Sequence, residues 1–231
     1  MEIVKNIHLN LDVKEIASKL RMKRTGNSDQ AQTLLEIAQP LLTPKVIYKV
    51  SYVDEKTEDA VVIDGVRMQS RVLRKNLDDV GRVFPYVVTI GGGLEKRADS
   101  TDDFLEKYYL DSIGNIALTK AYMRLENHLK TKFALGKVAS MAPGSLADWP
   151  ITEQKLLFSI LDDVEEAIGV RLSEYFLMFP RKTVSGIYFP TESAFYSCQL
   201  CPRKRCEERK ARYNAKLAQE YRINEIREGT S

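Results

Sequence analysis

The pattern that most constrains this chain is a stripe of apolar residues at helical spacing, which begins near Asp102. The stripe is formed by Leu105, Tyr109, Ile113, Ile116, Leu125 and Leu129. It predicts one long helix, and Gly136 is expected to cap its C-terminus. A second helix is expected from Thr152, as its N-cap, to Gly169. Its buried face would be formed by Leu157, Leu161, Val164 and Ile168.

Short apolar segments typical of strands alternate with these helices. They lie at residues 46–50, 60–63, 86–90 and 184–189, and a further helical region covers residues 11–39. Three glycines, 91–93, follow the third strand and are interpreted as a tight turn, because no phosphate-binding motif surrounds them. The alternation predicts a single domain of the mixed α/β or α+β class.

Composition excludes several classes of protein. The chain has a formal net charge of only +3, which gives no general reason to expect a polyanionic partner. It contains no apolar run long enough to span a membrane, and its N-terminus lacks the apolar region of a signal peptide. A cytoplasmic location is therefore expected. Only two histidines, His8 and His128, are available for acid–base chemistry.

All three cysteines of the chain lie together as C-x2-C-x4-C, at Cys198, Cys201 and Cys206. Clustered cysteines in a reducing compartment are typical of metal or redox sites. Three thiolates could hold a 4Fe-4S cluster with one open position, or a zinc ion that another residue completes. Three reduced thiols without metal remain the alternative.

The basic segment from Arg203 to Arg227 is predicted to form a charged helix. Such a run is usually a solvated helix face. It could also dock an acidic electron donor or a corrinoid protein, whereas no motif supports nucleic-acid binding.

Residues 143–150, with the sequence PGSLADWP, form a second candidate site. Two prolines and a glycine make a rigid loop rich in accessible backbone, which suits the positioning of a small ligand. The alternative is a structural connection in which Trp149 fills the core.

From Ser140 to Tyr196 the sequence resembles the reactivation domain of cobalamin-dependent methionine synthase, which binds S-adenosylmethionine. Gly144 and the pair Thr152-Glu153 have the spacing of that family's loop and following helix. Residues 173–180 (SEYFLMFP) and 184–189 (VSGIYF) match two further family segments, and Tyr196 corresponds to a ligand-contacting tyrosine. Stand-alone proteins of the family share the order of the upstream strands and the long helix.

The resemblance implies an α+β domain over residues 1–197, with a twisted, largely antiparallel sheet and long helices. A charged, cysteine-containing helical extension, residues 198–231, would follow it. The implied activity is that of an accessory activation subunit, which remethylates cob(II)alamin on a corrinoid methyltransferase with S-adenosylmethionine. The electron would come from a flavodoxin- or ferredoxin-type donor. The residues expected to line the S-adenosylmethionine groove are Pro143, Gly144, Ser145, Tyr188 and Tyr196.

The chain departs from the family at three positions. The loop arginine that would bind the S-adenosylmethionine carboxylate falls at Ser140, and the loop tyrosine falls at Ser145. The acidic residue of the long helix falls near Thr119 or Lys120. One alternative is therefore an iron–sulfur protein that reduces a corrinoid protein without binding S-adenosylmethionine. Another is a zinc-stabilised adaptor.

Overall fold

An eight-stranded antiparallel sheet organises the part of the chain that the structure, a computed structural model, describes: residues 1–4, 7–20, 27–192, 195–206 and 209–221. Its strands are β1 (Glu2–Val4), β2 (Lys45–Tyr48), β3 (Ser51–Lys56), β4 (Ala60–Ile63), β5 (Val66–Gln69), β6 (Arg82–Thr89), β7 (Val138–Met141) and, later in the chain, β10 (Thr183–Pro190). A separate hairpin is formed by β8 (Arg171–Leu172) and β9 (Met178–Phe179).

Strand β6 is the centre of the sheet. One of its edges pairs with β10, which in turn pairs with β7. Its other edge pairs with β2 and, further along, with β3, so that β1 and β5 lie at outer positions. All pairs are antiparallel, and β6 is buried over almost its whole length because both faces of the sheet are covered. The expected α+β class with a largely antiparallel sheet is confirmed.

The described helices are α1 (Val13–Lys19), α2 (Asn27–Ala38), α3 (Arg71–Asn76), α4 (Gly93–Asp99), α5 (Phe104–Lys132), α6 (Gln154–Ile160), α7 (Val164–Ile168) and α8 (Ala215–Glu220). The long predicted helix is α5, and it covers one face of the sheet together with α1 and α2. The first core lies between them. Its sheet side includes Tyr48, Phe84, Tyr86 and Tyr188. No described helix is both long and apolar enough to cross a bilayer.

The C-terminus of α5 differs from the expectation. The left-handed residue after the helix is Ala134, with φ 50°, and the Leu135 amide donates to the Lys130 carbonyl at 3.0 Å. That pattern closes the helix before Gly136 is reached. The prediction of Gly136 as the cap was therefore wrong, since the chain turns two residues earlier.

The other face of the sheet carries the second core, which packs α3 and α6 around the fully buried Trp149. The helix predicted over residues 152–169 is divided here. Residues Ile151–Glu153 form a 3-10 turn, so Thr152 is not an N-cap, and Asp162 interrupts the helix with φ 58°. Gly169 ends α7 in the left-handed conformation, as predicted.

The C-terminal segment returns to this second core. Leu200 and Ala218 are fully buried in it, and the Tyr221 ring stacks on Phe195 with centroids 6.0 Å apart. Helix α8 is the described helical part of the predicted extension. The prediction of a charged helix from Pro202 was wrong for residues 202–206 and 209–214, which form no α-helix. Residues 222–231 lie outside the described residues. The division of the chain at residue 198 stays a prediction.

Candidate functional site

The loop of residues 142–150, hereafter the Gly144 loop, is closed by its own backbone. The Gly144 amide donates to the Trp149 carbonyl at 2.7 Å, and the Trp149 amide donates to the Leu146 carbonyl at 3.1 Å. Gly144 has φ +81°, and a Cβ added there would lie 2.9 Å from Ile151 Cδ1. Glycine is favoured at this position because another residue would be strained at this positive φ and would require the Ile151 side chain to shift.

Two neighbouring side chains fix the Gly144 loop on the second core. Trp149 is fully buried, which is the structural role that the sequence left open. The Asp148 carboxylate accepts from the Ser70 hydroxyl and, at 2.9 Å, from the Val72 amide at the start of α3. Its side chain is only 3% exposed. The loop is therefore a rigid platform, whose position relative to the sheet is set by buried contacts.

Next to this loop, β7 and β10 bring Ser140 opposite Tyr188. The Ser140 hydroxyl is hydrogen-bonded to the Tyr86 hydroxyl at 2.9 Å. A Cβ at Gly186 would lie 2.8 Å from the same tyrosine oxygen and 2.5 Å from the Met141 carbonyl oxygen. The bare backbone at Gly186 is what allows Tyr86 to reach Ser140.

Tyr86, Tyr122 and Tyr188 form a layer of packed rings between β6, β10 and α5, hereafter the tyrosine layer. The Tyr188 centroid lies 4.8 Å from that of Tyr86 and 5.3 Å from that of Tyr122. Burial raises the pKa of Tyr86 and of Tyr188 well above the ordinary value, so both remain protonated phenols. The Tyr188 hydroxyl is buried and has no hydrogen-bond partner among the described residues.

A cation from the C-terminal segment covers this layer. Lys210 Nζ lies 4.8 Å from the centroid of the Tyr122 ring. The Lys210 amide also donates to Cys198 Sγ at 3.5 Å. These contacts place the positive charge of Lys210 beside the tyrosine layer and its backbone beside the Cys198 thiol.

The three cysteines differ in exposure and are free thiols. Cys198 and Cys201 are half-buried, whereas Cys206 is exposed. The Arg209 guanidinium donates to the carbonyls of Cys198 and Cys201, at 3.1 and 3.4 Å, and so holds the backbone of this segment. Among the described residues, no three His, Cys, Asp or Glu side chains are arranged to hold a metal ion. The metal ligands predicted from spacing stay a prediction.

The hairpin of β8 and β9 presents apolar side chains to solvent. Tyr175 is 74% exposed and Leu177 is 59% exposed, while Lys155 Nζ lies 5.3 Å from the Phe176 ring centroid. The turn is closed by the Ser173 amide, which donates to the Leu177 carbonyl at 2.9 Å. Exposed aromatic and aliphatic side chains at one hairpin tip are typical of a contact surface.

Part of the chain matches a known protein family. Residues 137–214 match the model of the vitamin B12-dependent methionine synthase activation domain. That range contains the Gly144 loop, β10, Tyr196 and the cysteines. The resemblance to the activation-domain family is therefore found again over residues 137–214.

A solved structure supports the same fold over a larger part of the chain. It is the MetH reactivation domain bound to AdoHcy, with a TM-score of 0.50 and 17% sequence identity. The match covers 84% of this chain and 80% of the other. A comparison with curated protein sequences gave no significant match.

Five residues were expected from the resemblance to contact S-adenosylmethionine. Only some of them lie close together. Pro143, Gly144 and Ser145 are consecutive in the loop, and the Ser145 hydroxyl donates to the Ala142 carbonyl at 2.6 Å. Tyr196 is 44% exposed, whereas Tyr188 is 1% exposed and lies in the tyrosine layer. Their role in binding stays a prediction.

Three residues of this site, Tyr86, Tyr122 and Lys210, were not singled out from the sequence. Tyr86 was assigned only to a strand, although its alternation with Phe84 and Val88 places it on the α5 face of β6. Lys210 was counted only within a basic segment. No local pattern indicates its position, because it reaches the tyrosine layer through the return of the chain to Cys198.

Proposed function

We propose that this chain reactivates a corrinoid-dependent methyltransferase of the methionine synthase type by supplying S-adenosylmethionine to oxidised cobalamin. The family match over residues 137–214 carries the proposal, because it contains the Gly144 loop and the strand beside it. The AdoHcy bound to the related MetH reactivation domain supports S-adenosylmethionine as the methyl donor, since AdoHcy is what remains after methyl transfer.

The reaction balances with one external electron. Cob(II)alamin on the partner takes one electron from a flavodoxin- or ferredoxin-type donor and becomes cob(I)alamin. Its cobalt then attacks the methyl carbon of the sulfonium, so that the sulfur–carbon bond breaks and a cobalt–carbon bond forms. The products are methylcobalamin and S-adenosylhomocysteine. The protein contributes binding and orientation, while the corrinoid supplies the reactivity.

We place S-adenosylmethionine at the Gly144 loop, with one contact different from that of the family. The Gly144 loop offers a rigid backbone, and Tyr196 offers an exposed ring. Position 140 is a serine and carries no cation, and its hydroxyl is hydrogen-bonded to Tyr86. Lys210 covers the adjoining tyrosine layer. We assign to Lys210 the charge-assisted contact to the carboxylate that an arginine makes in the family.

The hairpin tip of Tyr175 and Leu177 is the surface proposed to face the corrinoid-binding partner or module. These exposed side chains would bury apolar area in the complex. The free cysteines suit a reducing, cytoplasmic setting for this complex.

Reactivation can be measured directly. The chain is mixed anaerobically with a methyltransferase module loaded with cob(II)alamin, a reductant and S-adenosylmethionine, and methylcobalamin is followed by its absorption spectrum. We expect faster formation than in a mixture without the chain. Tyr175→Ser combined with Leu177→Ser should slow the reaction, and Tyr52→Ser, an exposed tyrosine on β3, is the matched control. A rate equal to that of the mixture without the chain would refute the proposal.

The second candidate function is that of an iron–sulfur protein that reduces a corrinoid protein without binding S-adenosylmethionine. The serines at 140 and 145 and the cysteine spacing favour it. Anaerobic absorption spectra with metal analysis, compared between the wild type and Cys201→Ser, separate the alternatives. A brown protein that gives no heat with S-adenosylmethionine in calorimetry would support the reductase. A colourless protein with stoichiometric zinc and no redox activity would support a zinc-stabilised adaptor.

A further inference from the structure

A cleft of about 530 Å³ lies between the N-terminal segment and the C-terminal half of α5. It is at the β1–β2 end of the sheet, whereas the Gly144 loop follows β7 at the other end. Strands β6 and β10 separate the two. The cleft contains His8 and His128, the two histidines of the chain. Nothing in the proposed reactivation uses these residues.

The lining combines an apolar floor with a cationic rim. Ile7, Val46 and Leu125 supply apolar surface, and Val46 and Leu125 are buried members of the first core. Arg124 lies on the rim, and its side chain makes no ion pair with any described residue. No aspartate or glutamate lines the cleft among the described residues. The electrostatics of the lining therefore favour a negative charge.

A hydrogen-bond network centred on the buried Tyr48 orients one of the histidines of the cleft. The Tyr48 hydroxyl lies 2.9 Å from His128 Nε2 and donates to the Glu2 carboxylate at 2.7 Å. Burial, together with the hydrogen bond to Glu2, raises the pKa of Tyr48 to about 12, so its single proton stays in place. Because that proton goes to Glu2, His128 Nε2 is the donor to Tyr48. Lys132 neutralises Glu2, so this carboxylate does not offset the cationic rim.

We infer that this cleft binds a small organic anion with an apolar body, such as an aryl or alkyl carboxylate. The anionic group would lie at Arg124 and His8, and the body would lie on Val46 and Leu125. The volume falls within the range of roughly 300–1,000 Å³ that is usual for small-molecule sites. An apolar floor with a few convergent polar groups is the ordinary composition of such a site.

Isothermal titration of the full chain with matched probes tests the inference. The probes are 4-phenylbutyrate, 4-phenylbutylamine, which has the same body with a positive charge, and inorganic phosphate, which has no apolar body. We expect 4-phenylbutyrate to bind with a Kd at least ten-fold lower than either of the others. Equal binding of the carboxylate and the amine would overturn the charge argument. Equal binding of phosphate would overturn the requirement for an apolar body.

Substitutions in the cleft test whether 4-phenylbutyrate binds there. Arg124→Gln should raise the Kd for 4-phenylbutyrate at least five-fold, and Arg212→Gln, an exposed arginine of the C-terminal segment, should leave it unchanged. Asn127→Trp fills the cleft from its exposed side and should abolish binding. Circular dichroism confirms that each variant is folded. Wild-type affinity in both cleft variants would place the site elsewhere and refute the inference. Binding of S-adenosylmethionine should not change in either, which keeps this test separate from that of reactivation.

Discussion

Ser140 shows how a single residue changes the chemistry of the candidate site. A guanidinium at this position would point a charge at a ligand carboxylate, whereas the serine hydroxyl is engaged with Tyr86 at 2.9 Å. The positive charge beside the tyrosine layer comes instead from Lys210, which lies on a different part of the chain. We therefore propose that Lys210 supplies the positive charge for the carboxylate of S-adenosylmethionine.

Replacing Lys210 tests this assignment. We expect Lys210→Gln to weaken S-adenosylmethionine binding about ten-fold, because a contact worth about 1.4 kcal/mol is lost. Isothermal titration measures the change. Lys216→Gln removes an exposed lysine from α8 and should bind normally. Unchanged affinity in Lys210→Gln would show that the carboxylate is held elsewhere.

Asp148 is the residue on which the position of the Gly144 loop most depends. Its buried carboxylate accepts from Ser70 and from the Val72 amide. We expect Asp148→Ala to lower the free energy of unfolding by about 2–3 kcal/mol, since it leaves the buried Ser70 hydroxyl and the Val72 amide without their acceptor. Asp103, the exposed N-cap of α5, is the matched control, and Asp103→Ala should cost only about 1 kcal/mol. Urea unfolding measures both, and equal losses would contradict the argument.

At the scale of elements, the spacing of apolar residues predicted which helix faces pack against a core. The stripe of α5 and the buried residues of α6 and α7 were identified because each faces a core on one side. The ends of these helices were not predictable in the same way. Ala134 and Asp162 adopt left-handed conformations that their residue types disfavour, because the surrounding chain requires a turn there.

A glycine in place of Ala134 should stabilise the C-terminus of α5. We expect Ala134→Gly to raise the free energy of unfolding by about 1 kcal/mol, since φ 50° is strained for alanine and ordinary for glycine. Gly136→Ala is the matched control and should be close to neutral. An added Cβ there meets no atom within 4 Å, and the residue is not left-handed. Thermal and urea unfolding measure the two changes, and no gain from Ala134→Gly would refute the explanation of the helix end.

At the scale of the whole molecule, the strand order and the return of the C-terminal segment could not be read from periodicity. Local patterns identify a strand but not its neighbours, and β10 lies beside β6 although about ninety residues separate them in the chain. The antiparallel arrangement of the strands was predicted from the family resemblance over residues 140–196, because the local patterns did not determine it. The contact between Lys210 and Tyr122 is equally non-local, which is why the site was only partly predictable.

The packing of Leu200 indicates that the C-terminal segment and the sheet unfold as one unit. Leu200 is fully buried in the second core, which also contains Trp149, the single tryptophan of the chain. We expect Leu200→Ala to cost about 2–5 kcal/mol through lost burial and a cavity. Because Trp149 belongs to the same core, its fluorescence transition in urea should move to lower concentration.

Lys216→Ala, which changes an exposed residue of α8, is the control and should leave this transition in place. A tail that folds independently of the domain would behave differently. Leu200→Ala would then leave the Trp149 transition unchanged while a separate, earlier transition appeared in circular dichroism. The cooperative outcome is the one that the geometry favours, because the Tyr221 ring stacks on Phe195 and Lys75 is paired with Glu220 at 2.9 Å. Both contacts tie α8 to the domain, and Cys201, which precedes it, packs against the same core as the Gly144 loop.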